Sequence, residues 1–341
     1  MSEQSHAPVC TVCIANFNGA TVIQDCLDSV FSQDCSFSLE VVVHDDASTD
    51  DSLSIIRESH PEITVISSQT NVGFCASNNR MVAAARGQFI LLLNNDASLL
   101  PDALNTLYRH ASSHELAILG LPQFDADTGK FIDNGYYCDF FANPIPNLAR
   151  ALTHVAFVSG ACLWIPKVLW HAAGGFPEWF GSVAEDMYLC ARLRLSGYPI
   201  IALGESGFRH HVGFSLGGGK VVGGRRLVST IKRRALSERN KSFAMISTYP
   251  LCILLPILPI HLALLMVEGL FISMAKRDFR ILIEVYSPII PSILKAWPKL
   301  FMLRKETQRQ RRICLREWVS TFRLTYHKLR LILRHGLPEL K

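Results

Sequence analysis

Five polar residues stand out by type and spacing. Asn16, Asp45, Asp46, Asn94 and Asp96 each follow on a short apolar run. Carboxylate and amide oxygens gathered in this way suit a hard divalent cation, magnesium or manganese, and the phosphate oxygens such a cation holds. A second set comes later: the adjacent acids Glu185 and Asp186, the pair His210 and His211, and a glycine-rich basic stretch. That stretch runs from Gly217-Gly218-Gly219-Lys220 to Gly223-Gly224-Arg225-Arg226. Such a loop is flexible in isolation and would close over a diphosphate with Arg225 or Arg226 as a clamp, although an ordinary surface loop has the same composition. The first apolar run lacks G-x-G-x-x-G, and there is no G-x-x-x-x-G-K-[ST]. A cation on Asp96 is therefore the alternative means of neutralising a diphosphate.

The elements that position these residues are legible from periodicity. Residues 9–15 read as a buried strand, followed by a turn at Asn16-Phe17-Asn18-Gly19. Helical spacing over 21–33 places Val22, Ile23, Cys26, Leu27, Val30 and Phe31 on one face. Leu39 to Val43 is a second strand, after which Ser48 or Thr49 would cap the helix carrying Leu53, Ile56 and Arg57. Ile63 to Ile66 and Phe89 to Leu93 are further strands separated by a helix over 77–86, and Pro101 opens another helix. Alternating strands and helices predict an α/β fold with a mostly parallel sheet covered on both faces. Ligands of such sheets lie at the carboxyl ends of the strands, where the five polar residues would converge.

Composition bounds the classes. Of 341 residues 18% are charged, below the usual quarter, which excludes a disordered chain or a charged nucleic-acid tail. The net charge of +5 is a cancellation: residues 1–160 carry −12, residues 161–294 +7 and residues 295–341 +10. The ten cysteines are scattered, and the first eight residues hold no apolar run, so the thiols read as reduced and the protein as cytoplasmic. Cys10 and Cys13 lie three apart in a strand, on opposite faces, and read as buried small residues rather than a zinc pair.

From Ser242 to Val267 there are 26 residues without Asp, Glu, Lys or Arg. Pro250, Pro256 and Pro259 interrupt them, which predicts broken, interfacial or re-entrant helices, with one spanning segment near 249–267 as the alternative. Leu315, Trp318, Val319, Phe322, Tyr326, Leu329 and Leu333 then predict an amphipathic helix lying on a membrane, peripheral or monotopic, or packed on the protein itself.

Five motifs in order resemble the family 2 glycosyltransferases of GT-A fold, in particular the rhamnosyltransferase-like group. They are Ile14 to Gly19; Asp45 to Ser52; Asn71-Val72-Gly73-Phe74 with Asn78-Asn79-Arg80; Leu91 to Asp96; and Ser159-Gly160-Ala161 through Gly174-Gly175-Phe176 to Glu185-Asp186, with His210 beyond. The resemblance spans about residues 9–245. It implies a catalytic domain over 1–242, with the donor half about 1–100 and the acceptor half about 101–242. Residues 243–341 would form a helical membrane-associated region. Asn16 and Phe17 would flank the nucleobase, Asp45 would accept from a pyrimidine N3–H, and Asn78 and Asn79 would lie near base and donor sugar. Asp96 and His210 would hold a magnesium or manganese ion, with Asn94 in place of the first acid of D-x-D. Asp186 would be the general base, with Glu185 beside it, and Tyr188 replaces a further acid. Arg239-Asn240 matches a recurrent pair of the family.

The expected activity is inverting transfer of a sugar from a UDP or dTDP donor to a hydroxyl of a saccharide or lipid-linked saccharide in surface polysaccharide synthesis. It would take place on the cytoplasmic face of the inner membrane, without nucleic acid. The alternatives are transfer to a polyprenyl phosphate, or a non-catalytic sugar-nucleotide-binding subunit. Bland readings of single residues remain beside these: Asp96 or Asp186 as a helix cap, His210 as a core histidine, Phe17 as core.

Overall fold

The structure, a computed structural model, describes residues 7–114, 116–214, 217–222 and 226–341, with the backbone alone at 219–222. In chain order the first elements are β1 (Cys10–Asn16), α1 (Ile23–Phe31), β2 (Leu39–Asp45), α2 (Ser52–Ser59), β3 (Thr64–Ser67), α3 (Phe74–Ala84), β4 (Phe89–Asn94), β5 (Ala97–Leu99), α4 (Ala103–Ser113), β6 (Ile118–Gly120), β7 (Gln123–Asp125) and β8 (Phe131–Asp133). Next come β9 (Tyr136–Asp139), β10 (Pro144–Pro146), β11 (Thr153–His154), β12 (Cys162–Pro166), α5 (Lys167–Ala173), α6 (Glu185–Leu195), β13 (Ile200–Ala202) and β14 (Phe208–His210). The rest holds β15 (Gly218–Val222), β16 (Arg226–Ser229), α7 (Ile231–Thr248), α8 (Leu251–Lys276), α9 (Ile289–Arg309), α10 (Leu315–Val319), β17 (Phe322–Arg323), α11 (His327–His335) and β18 (Glu339–Leu340).

Two compact units result, neither continuous in sequence. The first takes the chain to Gly135, with Pro146–Ser182 and Tyr198–His211; the second takes Tyr136–Ile145, Val183–Gly197 and Val212–Lys341. Residue 242, where the sequence changes character, lies inside α7.

The first unit is built on an eight-stranded sheet of order β11-β13-β6-β12-β4-β1-β2-β3. β4, β1, β2 and β3 run parallel, and β12 enters antiparallel between β4 and β6. The sheet is thus mixed, the GT-A arrangement expected. Alternation along β1 sends Cys10, Val12 and Ile14 into one core with Ile23, Leu27 and Val30 of α1. Cys13 is buried outside that cluster, on the other face, and burial raises the thiols of both Cys10 and Cys13 well above their usual range. After β4 the chain leaves the sheet at once. β5 starts a second sheet of order β5-β14-β7-β8, so residues 94–96 form the corner between two sheets. The helix expected at Pro101 begins at Ala103 with Asp102 as its N-cap. Asp51, not Ser48 or Thr49, precedes α2, because Ser48 is engaged elsewhere.

In the second unit α8 differs from its expectation. It is one continuous helix of 26 residues with Pro256 and Pro259 inside it. Each proline removes one backbone bond, and both stand in the first three turns, where the remaining ladder carries the helix on. α8 is long and apolar enough to cross a membrane, and 17% of its most apolar window is buried. Leu255, Val267, Phe271 and Met274 of α8 are exposed, as are Leu294, Trp297, Phe301 and Met302 of α9. The single amphipathic helix expected over 315–333 is broken. Trp318 stacks on Phe322 at 4.1 Å and meets Tyr249 at 4.9 Å, and β17 pairs with β9. Trp318 is buried, so packing rather than the surface takes the largest ring of that stripe.

Candidate active site

Side chains that looked like independent ligands at the strand ends of the first unit are cross-linked to one another. Asn16 closes β1 and is 1% exposed. Its Nδ2 donates to Asp45 Oδ1 (3.1 Å), Ser48 Oγ (3.2 Å) and Ser52 Oγ (2.9 Å), and its Oδ1 accepts from Asn95 Nδ2 (2.9 Å). One amide thus joins the ends of β1 and β2 to the corner after β4. Gly19 is needed there, since a Cβ would overlap both Asn16 Oδ1 and Asn95 Nδ2. Asp45 faces this knot and also accepts from Ser48 N at 3.3 Å. Asp46 turns away: its two oxygens accept from Val72 N (2.7 Å) and Gly73 N (2.9 Å), which fixes the turn into α3. Phe17 is 45% exposed, so its ring is not core.

The two asparagines of α3 are engaged within the unit. Asn78 is buried and donates to the Phe74 carbonyl one turn back. Asn79 clamps a distant loop: Nδ2 donates to the Phe176 carbonyl (2.8 Å) and Oδ1 accepts from Phe176 N (3.0 Å). A Cβ on Gly175, at φ +68°, would overlap that amide.

Asp96 and His210 are brought together by strand pairing. β5 and β14 are antiparallel with Ala97 opposite His210, and His211 N donates to the Asp96 carbonyl at 3.0 Å. His210 Nε2 stands 3.2 Å from Asp96 Oδ1, without the alignment of a hydrogen bond. Asp96 Oδ1, Asn94 Oδ1 and His210 Nδ1 are all buried with no hydrogen-bond partner. Such orphaned atoms are costly unless something else meets them. Among the described residues no cluster of three or more His, Cys, Asp or Glu stands together. A donor set of one carboxylate, one imidazole and one amide oxygen fits a cation that completes its shell with phosphate oxygens and water, as magnesium does. His211 is half-exposed beside Asp127 at 3.2 Å, apart from this group.

The acid pair stands in the second unit, in the first turn of α6. Val183 and Ala184 before it are both left-handed, with φ +70° and +66°. Asp186 is half-buried, and its Oδ1 accepts from Met187 N at 2.7 Å. Glu185 is buried with Oε2 unpartnered. Burial, reinforced by the charge of Asp186, pushes the Glu185 carboxyl up to about 8. A protonated Glu185 leaves the pair with one negative charge, on the more exposed acid. Tyr188, where a further acid was expected, is buried and accepts from Arg192 at 3.1 Å; Arg192 pairs with Glu306 of α9 at 3.0 Å. Arg225 lies outside the described residues. Arg226 is exposed at the start of β16, 3.5 Å from Glu339.

Sequence reasoning missed Asn95 and Asp46 as braces, and the role of Asn79 as a clamp. Asn95 carried one signal, its place inside the N-N-D run.

These strand ends, on a mixed sheet whose corner holds buried, unpartnered polar atoms, belong to a nucleotide-sugar transferase fold. Family models described as "Glycosyl transferase family 2" and "Glycosyl transferase family group 2" match residues 11–165 and 89–285. The chain belongs to the family 2 glycosyltransferases. It is 30% identical over 188 residues to a chondroitin synthase of Escherichia coli, covering 53% of this chain and 26% of that protein. It thus spans about a quarter of that relative's length. It is 26% identical over 214 residues to an O-antigen chain rhamnosyltransferase of Salmonella anatum, covering 60% of this chain and 66% of the relative. Among solved structures it resembles S. aureus TarS 1–349 in complex with UDP, with 17% identity, 88% of both chains covered and a TM-score of 0.52. It also resembles a mannosyltransferase from Pyrobaculum calidifontis in complex with GDP-Man and Mn2+, with 18% identity, 90% and 87% covered and a TM-score of 0.51. These two show the GT-A fold.

Proposed function

We propose that the chain is an inverting glycosyltransferase that moves a sugar from a UDP or dTDP donor to a hydroxyl of a saccharide or lipid-linked saccharide. The observation that carries this reading is the corner after β4, where Asn94, Asp96 and His210 present buried polar atoms without partners. Phe17 stacks on the nucleobase, and Asp45, oriented by Asn16, accepts its N3–H. Asn78 and Asn79 support the donor site from within, by fixing α3 and the Gly175–Phe176 loop. Asp96 and His210, with Asn94 beside them, hold a magnesium or manganese ion, which when bound supplies positive charge to the departing diphosphate. Arg225 or Arg226 adds positive charge to the diphosphate site.

Asp186 removes the proton of the acceptor hydroxyl as its oxygen attacks the anomeric carbon. A glycosidic bond forms on one face. The bond to the diphosphate breaks on the other, its electron pair leaving on the phosphate oxygen. Glu185, protonated, keeps Asp186 from sharing its charge with a second carboxylate. One carboxylate suffices, because the diphosphate leaves as an anion and needs no second acid to protonate it, as a hydrolase's leaving group does. The exposed apolar faces of α8 and α9 and the basic end of the chain support attachment to the cytoplasmic face of a membrane, where a lipid-linked acceptor diffuses.

The test is nucleotide release over a panel of UDP- and dTDP-sugars with a lipid-linked saccharide extract, with manganese and with EDTA. Turnover lost in EDTA and restored by manganese is expected; equal turnover in EDTA removes the cation from the reading. Replacing Asp186 with Asn should lower kcat by about 10²–10⁴-fold. Near-parental kcat would favour an anionic acceptor that needs no base.

A further inference from the structure

Asn240, second residue of the Arg239-Asn240 pair, has no part in the chemistry above, yet it is fully buried in α7. Its Nδ2 donates to the Val183 carbonyl at 2.8 Å. Its Oδ1 accepts from Arg239 Nε at 2.9 Å. This arrangement sets the amide's orientation, since the flipped form would face NH2 to a guanidinium and oxygen to a carbonyl. Val183 is a β-branched residue with positive φ, and Ala184 repeats the left-handed conformation at the N-cap of α6. Two such residues in a row persist only where the surroundings hold them. The Ala184 carbonyl in turn accepts from Tyr188 N at 3.1 Å, so the strained pair sets the first turn that carries Asp186.

α7 is itself fixed. Glu238, two residues before Asn240 and buried, forms ion pairs with Lys241 and Lys328 at 2.9 Å each and with Arg234 Nε at 3.1 Å. Arg234 and Lys328 continue to Glu268 of α8, at 2.5 and 2.7 Å. The amide therefore projects from a helix tied down on its other side.

We infer that Asn240 is a positioning residue for the general base: it holds the left-handed turn at Val183–Ala184 and so aims Asp186. The inference rests on the reading of Asp186 as base. Asn240→Asp is the sharper test, because the new carboxylate keeps the Arg239 contact but turns an acceptor toward the Val183 carbonyl. Amide hydrogen exchange over residues 183–188 should quicken at least tenfold in N240D, with exchange in β1 and β4 unchanged. Exchange at the parental rate overturns the inference without any assay of turnover.

In the nucleotide-release assay with the same extract, N240D should lose about 30–100-fold in kcat, the size expected for a misplacement near 1 Å. Donor KM should stay within about threefold, since the donor residues lie elsewhere. Combined with D186N, the further loss should be under threefold, because Asn240 acts only through Asp186. An equal loss in both backgrounds sinks the proposal. Val183→Gly with Ala184→Gly, where left-handed backbone is unstrained, should return at least tenfold of the lost kcat to N240D. If D186N is near parental while exchange changes as expected, the base assignment fails and the structural role of Asn240 stands. If D186N is inactive and N240D parental, only the inference fails.

Discussion

The two units handle buried polarity in different ways. In the first, the strand ends are joined by amide and hydroxyl groups: Asn16 alone makes four side-chain bonds, none to a full cation. In the second, five charged side chains share one buried cluster, Arg234, Glu238, Lys241, Glu268 and Lys328. Neutral hydrogen bonds are modest singly and tolerate the loss of a partner better than buried charges do. A donor site that exchanges ligands is suited by the first kind. A scaffold that must keep α7, α8 and α11 in register is suited by the second.

The largest expected effect breaks the ionic side. Glu238→Gln leaves Arg234 and Lys328 with Glu268 and takes from Lys241 the carboxylate it pairs with. Glu238 is held well below its usual range by Lys241, Lys328 and Arg234 against the cost of burial. The loss should be about 3–5 kcal/mol in urea unfolding. A loss below about 1 kcal/mol would mean that water already shares the cluster.

Next comes pH. The Glu185 carboxyl is raised from 4.5 to about 8 by burial and by Asp186. A folded pKa above the unfolded one means that this stabilisation is complete below about 4.5 and is lost as pH rises through about 8. Between pH 5 and 9 the parent should lose about 4 kcal/mol relative to Glu185→Gln, whose curve lacks this slope. Parallel curves for the two proteins would put Glu185 in water.

A smaller effect is expected on the neutral side. Asn16→Ala removes four bonds but no charge, and should cost about 1–3 kcal/mol, with weaker donor binding because Asp45 loses its orienting amide. A cost equal to that of Glu238→Gln would erase the contrast between the units.

How far these features are legible in sequence follows from their spacing. Asn16, Asp45, Asn94 and Asp96 end strands whose alternation is plain, so their convergence is readable. Asn95 is read as a spacer between Asn94 and Asp96, and only the approach of β1 to β4 makes it Asn16's partner. The ionic cluster draws on positions 234, 238, 241, 268 and 328, and helix periodicity links only the first three. Continuity of α8 through Pro256 and Pro259 opposes the local signal. The stripe over 315–333 has helical spacing, yet the stacking of Trp318 on Phe322 and Tyr249 overrides it, as tertiary packing routinely does.

The apolar surface sets the last contrast. Leu148 in the first unit and Leu294 in the second are each 68% exposed. Leu294 shares α9 with exposed Trp297, Phe301 and Met302 and with Lys295, Lys299 and Lys305, whereas single exposed residues are ordinary on any surface. A contiguous apolar face with basic residues among it is the pattern of an interfacial helix. Binding to vesicles of anionic phospholipid should therefore weaken about tenfold on Leu294→Asp and remain unchanged on Leu148→Asp, since the charge enters the interface in the first case alone. High salt should weaken the parent as well, because the lysines act through the surface potential. Equal binding by both variants would leave the α9 face as a surface for another protein chain, and the lipid-linked acceptor would lose its support.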